Sequence, residues 1–151
     1  VNYLLERGEL ISALKGLARN LAPTGLLIFD ANTVYTYRTF FAEEEVVEHE
    51  DSRMVWTGGT SPDAAPGVLA AASFEVEPKK PGGLRIEPTT HLERHYPESE
   101  ILVALAEAGL NVLDVWGHHY DAIPRQPLDE DHDVKAIYIA RLEASGHPGE
   151  D

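Results

Sequence analysis

His91-x-Glu93-x-His95 puts two imidazoles and a carboxylate at alternate positions of a β-rich segment. Alternate residues of a strand share one face, so the three side chains could converge. Together they have the chemistry of a divalent-metal site, or of an acid/base cluster in which His91 or His95 takes or orients a proton. The plain alternative is a solvated or cross-strand-paired polar face. Arg94 interrupts the set and Tyr96-Pro97 ends the strand at once, which favours that alternative, and we expect no metal. A second pair, His118-His119 followed by Tyr120, opens a long acidic loop, where an ordinary surface turn would look the same. The acidic runs 43–45 and 129–131 lack the spacing of a cation-binding loop and read as solvated faces.

These side chains need elements to hold them. Leu10, Ile11, Leu14, Leu17, Ala18 and Leu21 recur with the 3.6-residue period, which predicts an amphipathic helix over roughly 7–21. Pro23 bars its continuation and Gly25 allows the turn. Leu26-Leu27-Ile28-Phe29 is apolar on both pleat faces, the pattern of a strand covered on both sides, and Asp30-Ala31-Asn32-Thr33 reads as its polar exit. From 35 to 96 the grammar changes. An aromatic segment leads to four strand-like runs at 46–49, 53–57, 68–76 and 84–96, separated by Gly- and Pro-rich breaks, an antiparallel meander. Pro97 then opens a helix with Glu98 and Glu100 at its positive end, and Gly109 closes it. A strand at 110–116, a loop at 117–132 and a last strand at 134–142 follow, with a frayed tail over 143–151. Trp56 and Trp116 read as core.

Composition sets the outer limits. Twelve Lys and Arg against 26 Asp and Glu give a net charge of −14, which repels nucleic-acid backbones and anionic membranes alike. There is no cysteine, so disulfides, thiolate metal sites and cysteine nucleophiles are excluded, and the cytoplasm is the expected compartment. No apolar run approaches the roughly 18 residues of a membrane span.

The order of these pieces resembles the class I S-adenosylmethionine (SAM) dependent methyltransferases. The marks are Leu21-Ala22-Pro23-Thr24-Gly25 before the strand at 26–30, and Ala106-Glu107-Ala108-Gly109-Leu110 before the strand at 111–116. In that family these are the junctions into the fifth and sixth strands; the strand at 134–142 would be the seventh, antiparallel to its neighbours. The β insertion is most similar to that of the amino-sugar N-methyltransferases. The resemblance implies an α/β fold: the C-terminal half of a Rossmann-like methyltransferase sheet, from 1–34 and 97–142, with an inserted antiparallel β meander at 35–96 for substrate, lid or dimerisation.

The departure is as informative. The family's Gly-rich loop and ribose-binding acid are missing, because Gly58-Gly59 and Gly82-Gly83 lie between antiparallel strands with no helix after them. Val1–Leu5 would follow the family's fourth strand, so the chain is expected to be part of a split or truncated enzyme, inert and unable to bind SAM alone. On this reading Asn2 and Tyr3 sit where the cofactor meets the acceptor. Asn32, Tyr35, Tyr37, Arg38, His118 and His119 would contact a small-molecule methyl acceptor, and His91 and His95 would be the catalytic bases. An exposed edge at the fifth strand implies a homodimer or association with an N-terminal half. Two other readings stay open: a non-catalytic ligand-binding or dimerisation module, and a metal-dependent β enzyme built on His91, Glu93 and His95.

Overall fold

The computed structural model describes residues 1–120 and 123–143. The tail expected over 143–151 lies, from 144 onward, outside the described residues. Helix α1 (Arg7–Asn20) starts where the Glu9 carboxylate accepts the Glu6 backbone N–H at 3.0 Å, and it buries Leu10, Leu14 and Ala18. After the Pro23–Gly25 turn comes β1 (Leu26–Asn32), longer than the apolar run suggested. Its polar "exit" stays in the sheet because Asp30, Ala31 and Asn32 pair in register with Ile137, Ala136 and Lys135.

A short helix α2 (Val34–Arg38) and a 3-10 turn at Phe40–Ala42 occupy the aromatic segment. The meander follows as β2 (Glu44–Glu48), β3 (Ser52–Gly58), β4 (Leu69–Pro78) and β5 (Ile86–Arg94), antiparallel throughout and in the order β2-β3-β4-β5. Helix α3 (Glu98–Glu107), β6 (Leu110–His118) and β7 (Lys135–Leu142) complete the chain. Gly109 ends α3 at φ 74°, a left-handed turn that a side chain would strain.

The second sheet has the order β1-β7-β6, with β7 antiparallel to both neighbours, the arrangement expected for a fifth, seventh and sixth strand. One face carries the main core: Leu27, Ala31, Ala136, Tyr138 and Ala140 pack against Leu10 and Leu14 of α1 and Ile101, Ala104 and Leu105 of α3. The expectation that β1 is covered on both faces is corrected. Both helices lie on one side, leaving Leu26 and Ile28 at 53% and 61% exposure. Their strand partners bring Ile137, Ile139 and Trp116 to that same open face.

Two buried tyrosines supply a pH-dependent contribution. Burial, then the Glu93 carboxylate, holds the Tyr37 hydroxyl far above the usual tyrosine range; burial, then Glu130 and Glu98, does so for Tyr138. Both groups stay protonated in the folded chain, whereas the unfolded chain ionises near pH 10. The stabilisation is therefore fully present below that pH and lost above it, at about 1.4 kcal/mol per pH unit for each tyrosine. In an alkaline titration followed by phenolate absorbance, two of the six tyrosines should ionise only together with loss of the far-ultraviolet helix signal. Smooth titration of all six before unfolding would contradict this assignment.

Candidate functional site

A cavity of about 400 Å³ opens where the carboxyl end of β1 meets the meander. Its walls include Phe40 and Phe41 from the 3-10 turn, Trp56 from β3, Tyr3 and Tyr120; Asn32, Glu93 and Lys135 supply the polar groups. The sequence places aromatic rings here for a steric reason. On the inner face of the meander, Gly58 pairs with Ala72, and Ala70 with Glu93. These small residues make room for Tyr37 and Phe41, both buried against Ala70 and Ala72. Trp56 lies beside that floor, stacked on Phe40 at 4.7 Å, with its indole N–H donating to the Phe40 carbonyl at 3.2 Å. Trp56 packs on this second core cluster, in keeping with the sequence reading, and also forms a cavity wall.

The two sheets are joined at the cavity's inner end. The Asn2 amide donates to the Arg94 carbonyl at 2.9 Å and accepts the Asn32 backbone N–H at 2.9 Å, while the Asn2 carbonyl takes the Arg94 N–H at 2.8 Å. Tyr96 adds a bond from its hydroxyl to the Leu4 carbonyl at 2.7 Å. The Asn32 amide reaches across to Glu93 Oε2 at 2.7 Å, and the Tyr37 hydroxyl donates to the same oxygen at 3.3 Å. Glu93 is 7% exposed, so a carboxylate stands at the end of a mostly aromatic cavity. The nearby cation, Lys135, is paired with Asp30 at 3.0 Å.

The structure separates the members of the His-x-Glu-x-His grouping. His91 does not line the cavity but touches two residues that do: its Nδ1 is 3.0 Å from the Tyr3 hydroxyl and its ring 6.1 Å from Trp56. Partial burial and the neighbouring Glu93 carboxylate raise the Tyr3 hydroxyl above the usual tyrosine range. His95 lies past the end of β5 and is buried: its Nδ1 accepts the Gly67 N–H at 2.9 Å and its Nε2 faces Glu130 at 3.6 Å. It packs against the Tyr37 ring and does not line the cavity. Among the described residues no cluster of three metal-ligating side chains is present.

The other sequence candidates divide in the same way. Tyr3 and Asn32 line the cavity. Asn2 is 6% exposed, with both amide atoms occupied by backbone groups, so it ties the two sheets together. Tyr37 supports Glu93 from below. Arg38 donates to the Ala64 carbonyl at 2.9 Å and pairs with Asp131 at 2.7 Å, clamping two loops outside the cavity. Tyr35 and His119 pack together at 5.8 Å beside His132, and His118 ends β6 opposite Lys135; none of the three lines the cavity. Phe40, Phe41, Trp56, Tyr120 and Lys135 were not singled out as site residues. Lys135 had one local signal, its place at the start of a strand that must run beside β1.

No family model matches the sequence, and no curated protein is significantly similar to it. Solved structures do match. A SAM-dependent methyltransferase from Clostridium acetobutylicum is similar over 95% of this chain and 55% of its own, with a TM-score of 0.74 and 21% identity. The CcbJ methyltransferase from Streptomyces caelestis matches over 95% and 53%, with a TM-score of 0.68 and 18% identity. A SAM-bound amino pentose methyltransferase from Micromonospora echinaspora matches over 92% and 52%, at 0.51 and 15%. The chain therefore has the fold of part of a SAM-dependent methyltransferase and spans about half the length of these structures. Its strand order, with a central antiparallel last strand, is consistent with the C-terminal half. No helix among the described residues is long and apolar enough to cross a membrane.

Proposed function

We propose that this chain supplies the acceptor-binding half of a SAM-dependent methyltransferase that acts on a small molecule. The observation that carries the reading is the position of the cavity. It lies beyond the carboxyl end of β1, where open α/β sheets bind ligands, and it is roofed by the inserted meander. Its volume suits a compact acceptor rather than a polymer.

The residues present do not fit SAM itself. A Cβ at Gly58 would meet the Phe41 carbonyl oxygen at 2.1 Å and one at Gly59 the Ala71 carbonyl oxygen at 2.5 Å, so that turn packs on protein backbone and offers no cradle. Both polar atoms of the Asn2 amide already bond to backbone groups. The chain's own contribution is to hold and orient an acceptor, with Tyr3, Asn32 and Glu93 as its polar contacts and the aromatic walls excluding water. The open face bearing Ile28, Ile137 and Ile139 suits association with a cofactor-binding half.

Calorimetric titration with SAM tests this. The isolated 151-residue chain is expected to give no micromolar binding, whereas the full-length protein that contains it should bind SAM and transfer its methyl group. A full-length protein that fails to bind SAM would overturn the methyltransferase reading. Tight binding by the isolated chain would overturn the division of labour. Sedimentation of the same isolated preparation should show self-association, and a clean monomer would argue against the exposed face as an interface.

A further inference from the structure

Most polar groups on the cavity wall are already committed to the protein. The Thr36 hydroxyl donates to the Val134 carbonyl at 2.5 Å, and the Trp56 indole N–H to the Phe40 carbonyl at 3.2 Å. The Tyr3 hydroxyl is engaged with His91 Nδ1 at 3.0 Å, Asn32 donates to Glu93 at 2.7 Å, and Lys135 is paired with Asp30 at 3.0 Å. Among the described residues, Tyr120 is the one polar side chain of the wall without such a bond, and it is largely exposed. A ligand bearing several hydroxyls would therefore find few partners for them, and a buried hydroxyl without a partner is penalised. One polar position remains, at the Asn32–Glu93 pair on the inner end. The rest of the wall is aromatic and already assembled. Phe40 stacks on Trp56 at 4.7 Å, and Phe41 meets the same indole edge-on at 5.3 Å. The indole N–H bond holds the Trp56 ring before a ligand arrives, so little side-chain freedom is lost on binding. Such a wall offers ring faces and ring edges, the two geometries that aromatic partners prefer. An apolar cavity of about 150 Å³ accepts a benzene. This one, at about 400 Å³, has room for a fused two-ring system.

We infer that the cavity takes a planar aromatic acceptor of one or two rings with a single polar substituent, and discriminates against sugars and other polyhydroxylated compounds. The inference rests on the acceptor-site reading above and deepens it. The ring lies against Phe40, Trp56 and Tyr3, and its substituent faces the Asn32–Glu93 pair. Phe40 sets the preference, since its ring lines the cavity and also holds the Trp56 indole in place. The fold is shared with an amino pentose methyltransferase, but a fold does not fix the acceptor; the groups that line the site do.

The test is an NMR titration of the isotope-labelled 151-residue chain with indole, methyl glucoside and glucosamine. Binding is read from the Trp56 indole N–H and the Asn32 side-chain amide. Trp116, on the open face of the other sheet, is the internal control for general apolar binding. Indole should bind at Trp56 with a dissociation constant of about 1 mM or tighter, and at least about tenfold more tightly than either sugar. Phe40→Leu, which keeps an apolar side chain and removes the ring, should weaken indole at least about threefold. Binding of either sugar at Trp56 as tightly as indole overturns the proposal. So do indole shifts confined to Trp116, and an indole affinity that Phe40→Leu leaves unchanged. The comparison of probes in the unsubstituted chain needs no variant, so a misfolded Phe40→Leu protein would not blunt the test. Neither measurement uses SAM, which keeps the two readings distinguishable. A full-length protein that fails to bind SAM would remove the enzyme assignment and leave the ring preference standing. Methyl transfer to a sugar in preference to every aromatic acceptor would do the reverse.

Discussion

Gly58→Ala should lower the thermal midpoint by roughly 6–12 °C, the equivalent of about 3 kcal/mol for a chain of this size. The reason is contact with backbone rather than with a movable side chain. A Cβ at this position would come within 2.1 Å of the Phe41 carbonyl oxygen, 2.3 Å of its carbonyl carbon and 2.9 Å of its Cα. No rotamer change relieves that. Either β3 or the 3-10 turn must move, and two hydrogen bonds resist the separation: Gly58 N–H to the Glu43 carbonyl at 2.9 Å and Thr60 N–H to the Phe41 carbonyl at 3.0 Å. The turn carries Phe40 and Phe41, so the same displacement would break the Phe40–Trp56 stack and open the cavity wall. Fluorescence of Trp56 should therefore shift to the red in the variant before any unfolding. A variant with unchanged midpoint and emission would mean that the approach of the turn to β3 is looser than described.

The second large effect concerns a buried acid that does not itself line the cavity. Asp133 is fully buried; its Oδ1 accepts from Arg125 at 2.9 Å and its Oδ2 from the Asp129 N–H at 2.8 Å. These bonds fold the loop that carries Glu130 to His95 and Asp131 to Arg38, and they set the entry into β7. Asp133→Ala should cost about 3 kcal/mol, because it strands a backbone donor and releases the arginine. Gly117→Ala should cost a comparable amount for a different reason: the added methyl would lie 1.8 Å from Asp133 Oδ2. The two losses should not add. Once the carboxylate is gone, space exists for the methyl, so the double variant should be nearly as stable as Asp133→Ala alone. Urea unfolding of the three variants decides this. Additive losses would show that Gly117 is needed for something other than the approach of Asp133.

Both predictions turn on glycines whose importance was invisible in the chain. Gly58-Gly59 was legible only as a turn, and Gly117 only as the first residue of a loop. In the structure each is the point where another segment passes within contact distance. His95 shows the converse. Its spacing from Glu93 suggested a shared face and a shared task; the face is shared, because the His95 N–H to Val68 carbonyl bond at 2.9 Å carries the β4–β5 pairing on, but the task is not. Both residues meet Tyr37, but the His95 imidazole is taken up by Gly67 and the Tyr37 ring and does not reach the cavity.

What the chain determined by itself is local. Apolar periodicity sets α1 and α3, Pro23 and Gly109 punctuate them, and Gly- and Pro-rich breaks mark out a four-strand meander. The order of those pieces was enough to bring the methyltransferase resemblance into view, because a helix, a turn and a strand are decided by neighbouring residues. Burial and encounter were decided only by the tertiary structure. Leu26 and Ile28 have the same character as Leu27 and Phe29, but α1 and α3 pack on one face, so half of an apolar strand stays open. Asn32 and Glu93 are 61 residues apart, and their bond depends on the Asn2 crossing that joins the two sheets. Side-chain type established what each group could do; sheet register and the joint between sheets decided that Glu93, not the histidines beside it, ends the cavity.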